Sequence, residues 1–537
     1  MTTPRPPGTA AGPPGGHGPA WGGPALGPST PRPPAVAMRG IGKRFGAVHA
    51  NRAVDLTVAA GTVHGIVGEN GAGKSTLMSI LYGFYQADEG EILVDGQPLR
   101  ASTSAEAIAA GVGMVHQHFM LVDSFTALDN IMLGAEPGWR LQAARAQVRA
   151  ALVQLMDQTG LQVRLDLAVE ELPVGERQRL EILKALYRGA RFLILDEPTA
   201  VLTPHETDQL FETLRGLRAR GTTVLLITHK LKEIMALCDA VTVMRGGAVV
   251  LDTAIADTSL DALAQAMVGR RVNLGRQGVA AAPGAVLLQA EHLTLRDALG
   301  VARLNDVSLA LRAGEIVGIA GVSGNGQSEL LDVLSGLRTP QQGRLQLAGR
   351  TFTPGAWLTP QAARDLKLGH VPEDRHARAL VLPFAAWESA VLGYHRLADF
   401  CRRGFMRTVA MREATTGMMQ RYDVRPPDPD LRASKFSGGN QQKLVLAREA
   451  WAGPQVLLVG QPTRGVDIGA IEFIHARLRE LRDAGGAVLV VSSELDEVLA
   501  LADRVIVMNA GRVAGERPVE QCDETTLGLL MGGSEHA

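Results

Sequence analysis

The stretch VHGIVGENGAGKSTLMSILYG, residues 63–83, decides the fold. Its first five residues are an apolar run of strand length, GENGAGKST at 68–76 is a glycine-rich turn, and LMSILYG continues as a helix. Glycines at this spacing let backbone N–H groups turn inward around an anion, and the helix start adds a favourable dipole. The segment fits G-x-x-x-x-G-K-[ST], which makes Gly68, Asn70, Gly71, Gly73, Lys74, Ser75 and Thr76 candidate nucleotide-binding residues. Lys74 brings a point charge to the outer phosphates, and the Ser75 hydroxyl suits Mg²⁺. An ordinary glycine-rich turn is the competing reading, and the strand-to-helix setting argues against it.

Further along, FLILDEPTA at 192–200 is a second buried strand that delivers Asp196 and Glu197 at its carboxyl end. One carboxylate can hold a Mg²⁺ shell while its neighbour orients or deprotonates a water. TVLLI at 223–227 is another such run, and Val148, Leu152 and Leu155 follow helical spacing until Gly160 stops the helix. Strands alternating with helices predict an α/β fold with a largely parallel sheet.

Composition narrows the function. Of 537 residues, 46% are hydrophobic and 20% charged, as in an ordinary folded chain. Lys plus Arg (54) nearly cancels Asp plus Glu (55), which argues against gripping nucleic acid over a broad surface. Cys238, Cys401 and Cys522 are too far apart for a zinc cluster or a disulfide framework. No apolar run approaches 18 residues and the start lacks a secretory core, so a cytosolic protein is expected. Residues 1–34 are mostly Pro and Gly and read as a disordered tail, with His17 and Trp21 as its candidate docking spots.

The chain also repeats itself. LPVGERQRLEILKALYRGARFLILDEPTAVLT from Leu172 aligns without gaps on FSGGNQQKLVLAREAWAGPQVLLVGQPTRGVD from Phe436, an offset of 264. The same offset carries TVLLITHKLKEIMALCDAVTVMRGG from Thr223 onto AVLVVSSELDEVLALADRVIVMNAG from Ala487. A period this long means a duplicated domain.

Three more elements join the phosphate loop: Gln117 in GMVHQHFMLV, LPVGERQR at 172–179, and His229 in LITHK. In this order, and twice along one chain, they resemble the nucleotide-binding domain of ATP-binding cassette (ABC) proteins, as Q-loop, signature and H-loop. The resemblance runs from residue 36 to about 531. It implies two tandem α/β cassettes, each with a mainly parallel core sheet, an antiparallel β subdomain and a helical subdomain. The expected boundaries are a tail at 1–34, a first cassette at 35–269, a linker at 270–285, a second cassette at 286–531 and a tail at 532–537. The resemblance further implies ATP and Mg²⁺ as cofactors, with Lys74, Gln117, Glu197 and His229 catalytic. Ser75, Gln117 and Asp196 would hold the metal, and Phe45 would stack on adenine.

The second half departs from the pattern at its chemistry. Its phosphate loop, GVSGNGQSE at 321–329, has Gln327 in place of the lysine. Asp196 falls on Gly460, Glu197 on Gln461 and His229 on Ser493, while Gln117 corresponds to Glu373. The signature shows the reverse asymmetry: FSGGNQQK is intact in the second half, whereas Pro173 replaces its serine in the first. Asp467 likewise faces Thr203 as its counterpart. ABC domains are expected to pair head to tail, so the first loop would meet Ser437, Gly438, Gly439, Gln441 and Asp467. One competent ATP site per chain follows, with the other degraded on both sides.

Twin cassettes without membrane spans serve either as importer motors or as soluble factors acting on ribosomes. PEDR, SGGNQQK and QPTRGVD resemble the ATPase subunits of bacterial importers for simple sugars and nucleosides, and GMVHQHFMLV with LPVG looks most like the nucleoside branch. A ribose-type importer and a soluble translation factor are the alternatives. The implied partners are two integral-membrane permease subunits and, indirectly, a solute-binding lipoprotein or periplasmic protein. No nucleic acid is expected, and a second copy of the chain is possible. The implied location is peripheral, on the cytoplasmic face of the plasma membrane. Phe119, Met120 and Leu121, after Gln117, are candidates to meet a permease helix.

Overall fold

The computed structural model describes residues 34–46, 48–99, 103–117, 119–135, 141–199, 202, 204–271, 276, 282–322 and 324–531. Residues 1–33 of the expected 1–34 tail, the expected tail at 532–537, His17, Trp21, Thr203 and most of the 270–285 linker lie outside them.

In the first cassette a six-stranded sheet runs in the order Ala248–Ala254, Ala240–Arg245, Val63–Gly68, Thr223–Ile227, Phe192–Asp196, Val112–Val115. Val63–Gly68 pairs in parallel with Thr223–Ile227, which pairs in parallel with Phe192–Asp196. Both faces of these strands are covered, so they are buried along their whole apolar length. A four-stranded antiparallel sheet accompanies this one, in the order Val48–Val58, Val36–Phe45, Glu89–Val94, Gln97–Pro98. Helices Ala127–Met132, Leu141–Thr159 and Val174–Tyr187 form the helical part. The second of these ends where expected, at Gly160 with φ +76°.

The second cassette repeats the plan. Its six strands follow the order Leu368–Val371, Val456–Gly460, Ala487–Val491, Ile316–Ala320, Arg504–Asn509, Arg512–Pro518. The antiparallel companion is Ala302–Arg312, Val286–Arg296, Gln342–Leu347, Arg350–Phe352. Val286–Arg296 buries every second residue on either side of a bulge, Leu288 and Ala290 before it and Leu293 and Leu295 after it, with His292 at φ +54° in between, as in a sheet with one covered face. Leu288, Leu293, Leu304 and Leu345 from this sheet join Ile319, Leu458 and Leu489 of the parallel sheet in one core.

The described residues divide into two compact units that differ from a simple cut between cassettes. One takes the residues up to Ile66, then Lys74–Thr242 and Gly247–Asp257. The other takes Val67–Gly73, Val243–Gly246 and the residues from Thr258 onward. Among the described residues no helix is long and apolar enough to cross a membrane.

Candidate functional site

The sheet order puts the carboxyl ends of three parallel strands side by side, and each delivers a candidate residue. Val63–Gly68 leads into the phosphate loop, Phe192–Asp196 into Glu197, and Thr223–Ile227 toward His229. This is where open α/β sheets bind ligands. The loop demands glycine on steric grounds. A Cβ on Gly68 would stand 2.3 Å from the Met244 carbonyl oxygen, and Gly71 and Gly73 have φ of +84° and +97°. Lys74 opens the helix Lys74–Leu81 and is 7% exposed, while Asn70 and Ser75 are exposed and Thr76 half-buried.

Three of the expected catalytic residues meet. Gln117 Nε2 donates to Glu197 Oε2 at 2.9 Å, and His229 Nδ1 lies 2.9 Å from Glu197 Oε1. Glu197 itself has φ +48° and donates its N–H to the Ile227 carbonyl, so the strained turn aims its side chain between strands. Burial raises its pKa, but the His229 hydrogen bond and the charges of His229, Lys74 and Lys230 outweigh that, leaving it below the ordinary value. An ionised Glu197 requires the His229 proton to sit on Nδ1. Asp196 behaves in the opposite way. Burial and the Glu197 charge push it up to about 6, with Lys74 opposing. A neighbouring cation relieves that strain, so the donor set of Ser75, Gln117 and Asp196 fits a hard divalent ion.

Phe45 is 43% exposed, with its edge against Tyr85 at 5.2 Å between ring centres and Lys43 Nζ 5.5 Å from its own. It is therefore not a core phenylalanine, and its ring is open to a planar ligand. Of the three residues after Gln117, Met120 is 59% exposed and lines a cavity with Tyr82, Phe84, His116 and Lys184.

In the second cassette Ser437 caps the helix Gly438–Trp451, accepting from the Asn440 N–H, whereas Pro173 gives Val174–Tyr187 no side-chain cap. A Cβ on Gly438 would stand 2.8 Å from the Gly465 carbonyl oxygen, and one on Gly439 3.3 Å from Asp467 Oδ2. Asp467 caps the helix Ile468–Asp483 through the Ala470 N–H at 2.8 Å. Gln441 is 5% exposed and its amide is engaged inside the protein, accepting from Arg375 and His376 and donating to the Ala433 carbonyl.

The degraded half keeps the backbone and changes the chemistry. Gln461 has φ +48° and donates its N–H to the Val491 carbonyl, as Glu197 does in its own turn. Its amide oxygen accepts from the Ser493 hydroxyl at 3.1 Å. Gln327 folds back to donate to the Val322 carbonyl at 3.2 Å, and Ser328 spends its hydroxyl on Glu373 at 2.6 Å. A Cβ on Gly460 would meet the Glu373 side chain at 2.5 Å, so Glu373 fills the space an aspartate would need.

Two residues emerge that the motifs do not single out. Glu233, 8% exposed, accepts from Thr199 at 2.6 Å and Thr228 at 3.2 Å, tying the loops that carry Glu197 and His229. The repeat held its signal, because Glu497 stands at the same offset of 264. Glu69, inside the phosphate loop, accepts the Gly469 N–H, and burial and Asp467 raise its pKa. An acid where phosphates bind is itself an anomaly that sequence could have flagged.

The model of the ABC transporter family matches residues 51–200 and 304–464. The guanosine import ATP-binding protein NupO of Bacillus subtilis (strain 168) is 44% identical, over 93% of this chain and 97% of that protein. The nucleoside import ATP-binding protein NupA of Lactococcus lactis subsp. cremoris (strain MG1363) is 42% identical, over 93% and 98%. The ribose import ATP-binding protein RbsA of Chromobacterium violaceum is 38% identical, over 94% and 98%. A solved complex of archaeal ribosomal stalk protein aP1 and archaeal ribosome recycling factor aABCE1 shares the twin-cassette fold, with TM-score 0.60, 17% identity, and coverage of 91% and 92%. The chain therefore belongs to the ABC transporter ATP-binding proteins, as an ABC transporter ATPase with two cassettes in one chain.

Proposed function

We propose that this ATPase drives nucleoside import from one competent ATP site per chain. The observation that carries the reading is the convergence of Gln117 and His229 on Glu197, beside Asp196 and Lys74, against a second half where Gln461, Gly460 and Gln327 replace them. Lys74 and the loop amides bind the phosphates of ATP, and Phe45 stacks on the base. Ser75, Asp196 and Gln117 would hold Mg²⁺, which would supply neutralising charge to the phosphates. Glu197 orients and deprotonates the attacking water, and His229 keeps that carboxylate aimed.

From the second cassette, Ser437, Gly438, Gly439 and Asp467 are assigned to nucleotide binding by their intact signature. The loop Val67–Gly73 and this signature belong to one compact unit, in which Glu69 accepts from Gly469. Gln441 serves there by fixing the signature loop, since its amide is already engaged. Cassette limits of 35–269 and 286–531 are part of the same reading, and helix Leu260–Val268 belongs to the second compact unit.

The nucleoside assignment is supported by the relatives named for guanosine and nucleoside import at 44% and 42% identity, against 41% for a glucose relative and 38% to 41% for ribose relatives. The partners we propose are two membrane permease subunits, fed by a solute-binding lipoprotein or periplasmic protein, with the ATPase peripheral on the cytoplasmic face. The Tyr82, Phe84, His116 and Met120 groove beside Gln117 suits a permease helix. The 17% likeness to a ribosome factor carries fold and no activity.

The test is uptake of labelled nucleosides and of ribose in native cells in which Lys74→Ala replaces the normal protein. Loss of nucleoside uptake alone is expected. Loss of ribose uptake alone moves the protein to the sugar branch, and no change in either overturns the assignment.

A further inference from the structure

The helical part of the second cassette carries a feature that ATP chemistry does not use. Cys401–Arg402 and Phe405–Met406 form a two-stranded antiparallel hairpin, with Arg402 opposite Phe405. Its turn is tight, since Arg403 and Gly404 both have positive φ, +51° and +84°. The base is fixed. Phe400, 1% exposed, stacks on Trp451 with ring centres 5.0 Å apart and packs with Tyr394 and Met411. The Arg407 N–H also donates to the Phe400 carbonyl at 2.8 Å. A rigid base therefore holds an exposed tip in place.

The tip is both apolar and basic. Phe405 is 79% exposed, Val409 68% and Met406 60%. Residues 396–409 hold Arg396, Arg402, Arg403 and Arg407 against the carboxylate of Asp399, and all five side chains are exposed. Among the described residues, no carboxylate pairs with Arg396, Arg402 or Arg403. The whole chain carries a formal charge of -1, so this cationic cluster is a local excess. Unpaired guanidinium groups beside an exposed aromatic ring match the boundary between anionic headgroups and acyl chains, where both find partners.

We infer that the 401–406 hairpin is a contact for the anionic lipid headgroups of the membrane surface, with Arg402 and Arg403 meeting phosphates and Phe405 entering the interface. This rests on the peripheral location proposed above. The test uses the full chain without permease, sedimented with phosphatidylglycerol vesicles or phosphatidylcholine vesicles. Wild type is expected to sediment with the anionic vesicles, less so at high salt, and weakly with the neutral ones. Arg402→Ala with Arg403→Ala should lower the partition about thirtyfold, at roughly fivefold per arginine. Phe405→Ser should lower it too, and ATP turnover should stay unchanged in both variants.

Wild type that ignores anionic vesicles, or variants that sediment like wild type, overturn the inference. So does salt-insensitive binding, which serves as a check that needs no variant. Variants that bind vesicles normally but fail to assemble with the permease assign the hairpin to a protein partner instead. Failure of the nucleoside uptake test leaves vesicle sedimentation unaffected, so the two readings fail separately.

Discussion

Replacing Glu197 by glutamine removes the proposed base while leaving its setting nearly intact. Gln117 Nε2 donates to one carboxylate oxygen at 2.9 Å, and an amide oxygen can accept that bond equally well. The His229 contact at 2.9 Å survives through whichever tautomer matches the amide. The φ of +48° at Glu197 is tolerated by glutamine, because Gln461 adopts +48° in the other cassette. What is lost is a carboxylate held below its ordinary pKa and therefore ionised at neutral pH. General-base catalysis contributes roughly 10²–10⁴ in rate, which is about 3–5 kcal/mol of barrier. Phosphate release by Glu197→Gln should therefore fall by about that factor. ATP affinity, measured by fluorescence titration, should stay within about threefold, since uniform binding is untouched. Turnover above a tenth of wild type would refute the assignment of Glu197 as base.

Four further outcomes follow from the same geometry. Asp196 has a folded pKa raised to about 6, so its ionisation destabilises the fold, a penalty that is absent at low pH and grows as pH rises from about 4 through 6. Nucleotide-free Asp196→Asn should accordingly melt higher than wild type at pH 8, by on the order of 2 kcal/mol, with the gain shrinking toward pH 4; an equal difference at both pH values would contradict it. Gly460→Asp should destabilise by about 1–3 kcal/mol in denaturant titration, because its Cβ would meet Glu373 at 2.5 Å. Glu69→Ala should slow turnover more than it weakens ATP binding, since it removes a contact to Gly469 rather than one to phosphate; equal losses in kcat and affinity would argue otherwise. Leu458→Ala, at 0% exposure in the second core, should cost about 2–5 kcal/mol in the same titration.

Most of the fold was legible because buried parallel strands announce themselves as short apolar runs, as VHGIV, FLIL and TVLLI do. The 264-residue offset then carried the reading from one half to the other. The first site was legible for a related reason: its residues sit at strand ends, where local sequence and position in the sheet coincide. What stayed hidden depends on contacts far apart in sequence. Nothing near Glu69 points to Gly469, and nothing near Ser328 points to Glu373. The substitutions in the second half read as losses, whereas the structure shows replacement contacts. Gln327 closes onto its own loop, and Glu373 fills the place left by Gly460. The signature motif likewise suggests Gln441 as a phosphate contact, and only the fold reveals Arg375 and His376 on its amide oxygen.

The claim of one competent site is tested most directly by counting nucleotide trapped with vanadate under turnover conditions, per chain, in wild type, Lys74→Ala and Gln327→Lys. The account predicts one equivalent in wild type, none in Lys74→Ala and still one in Gln327→Lys. Two equivalents in wild type, or retention of one in Lys74→Ala, would contradict it.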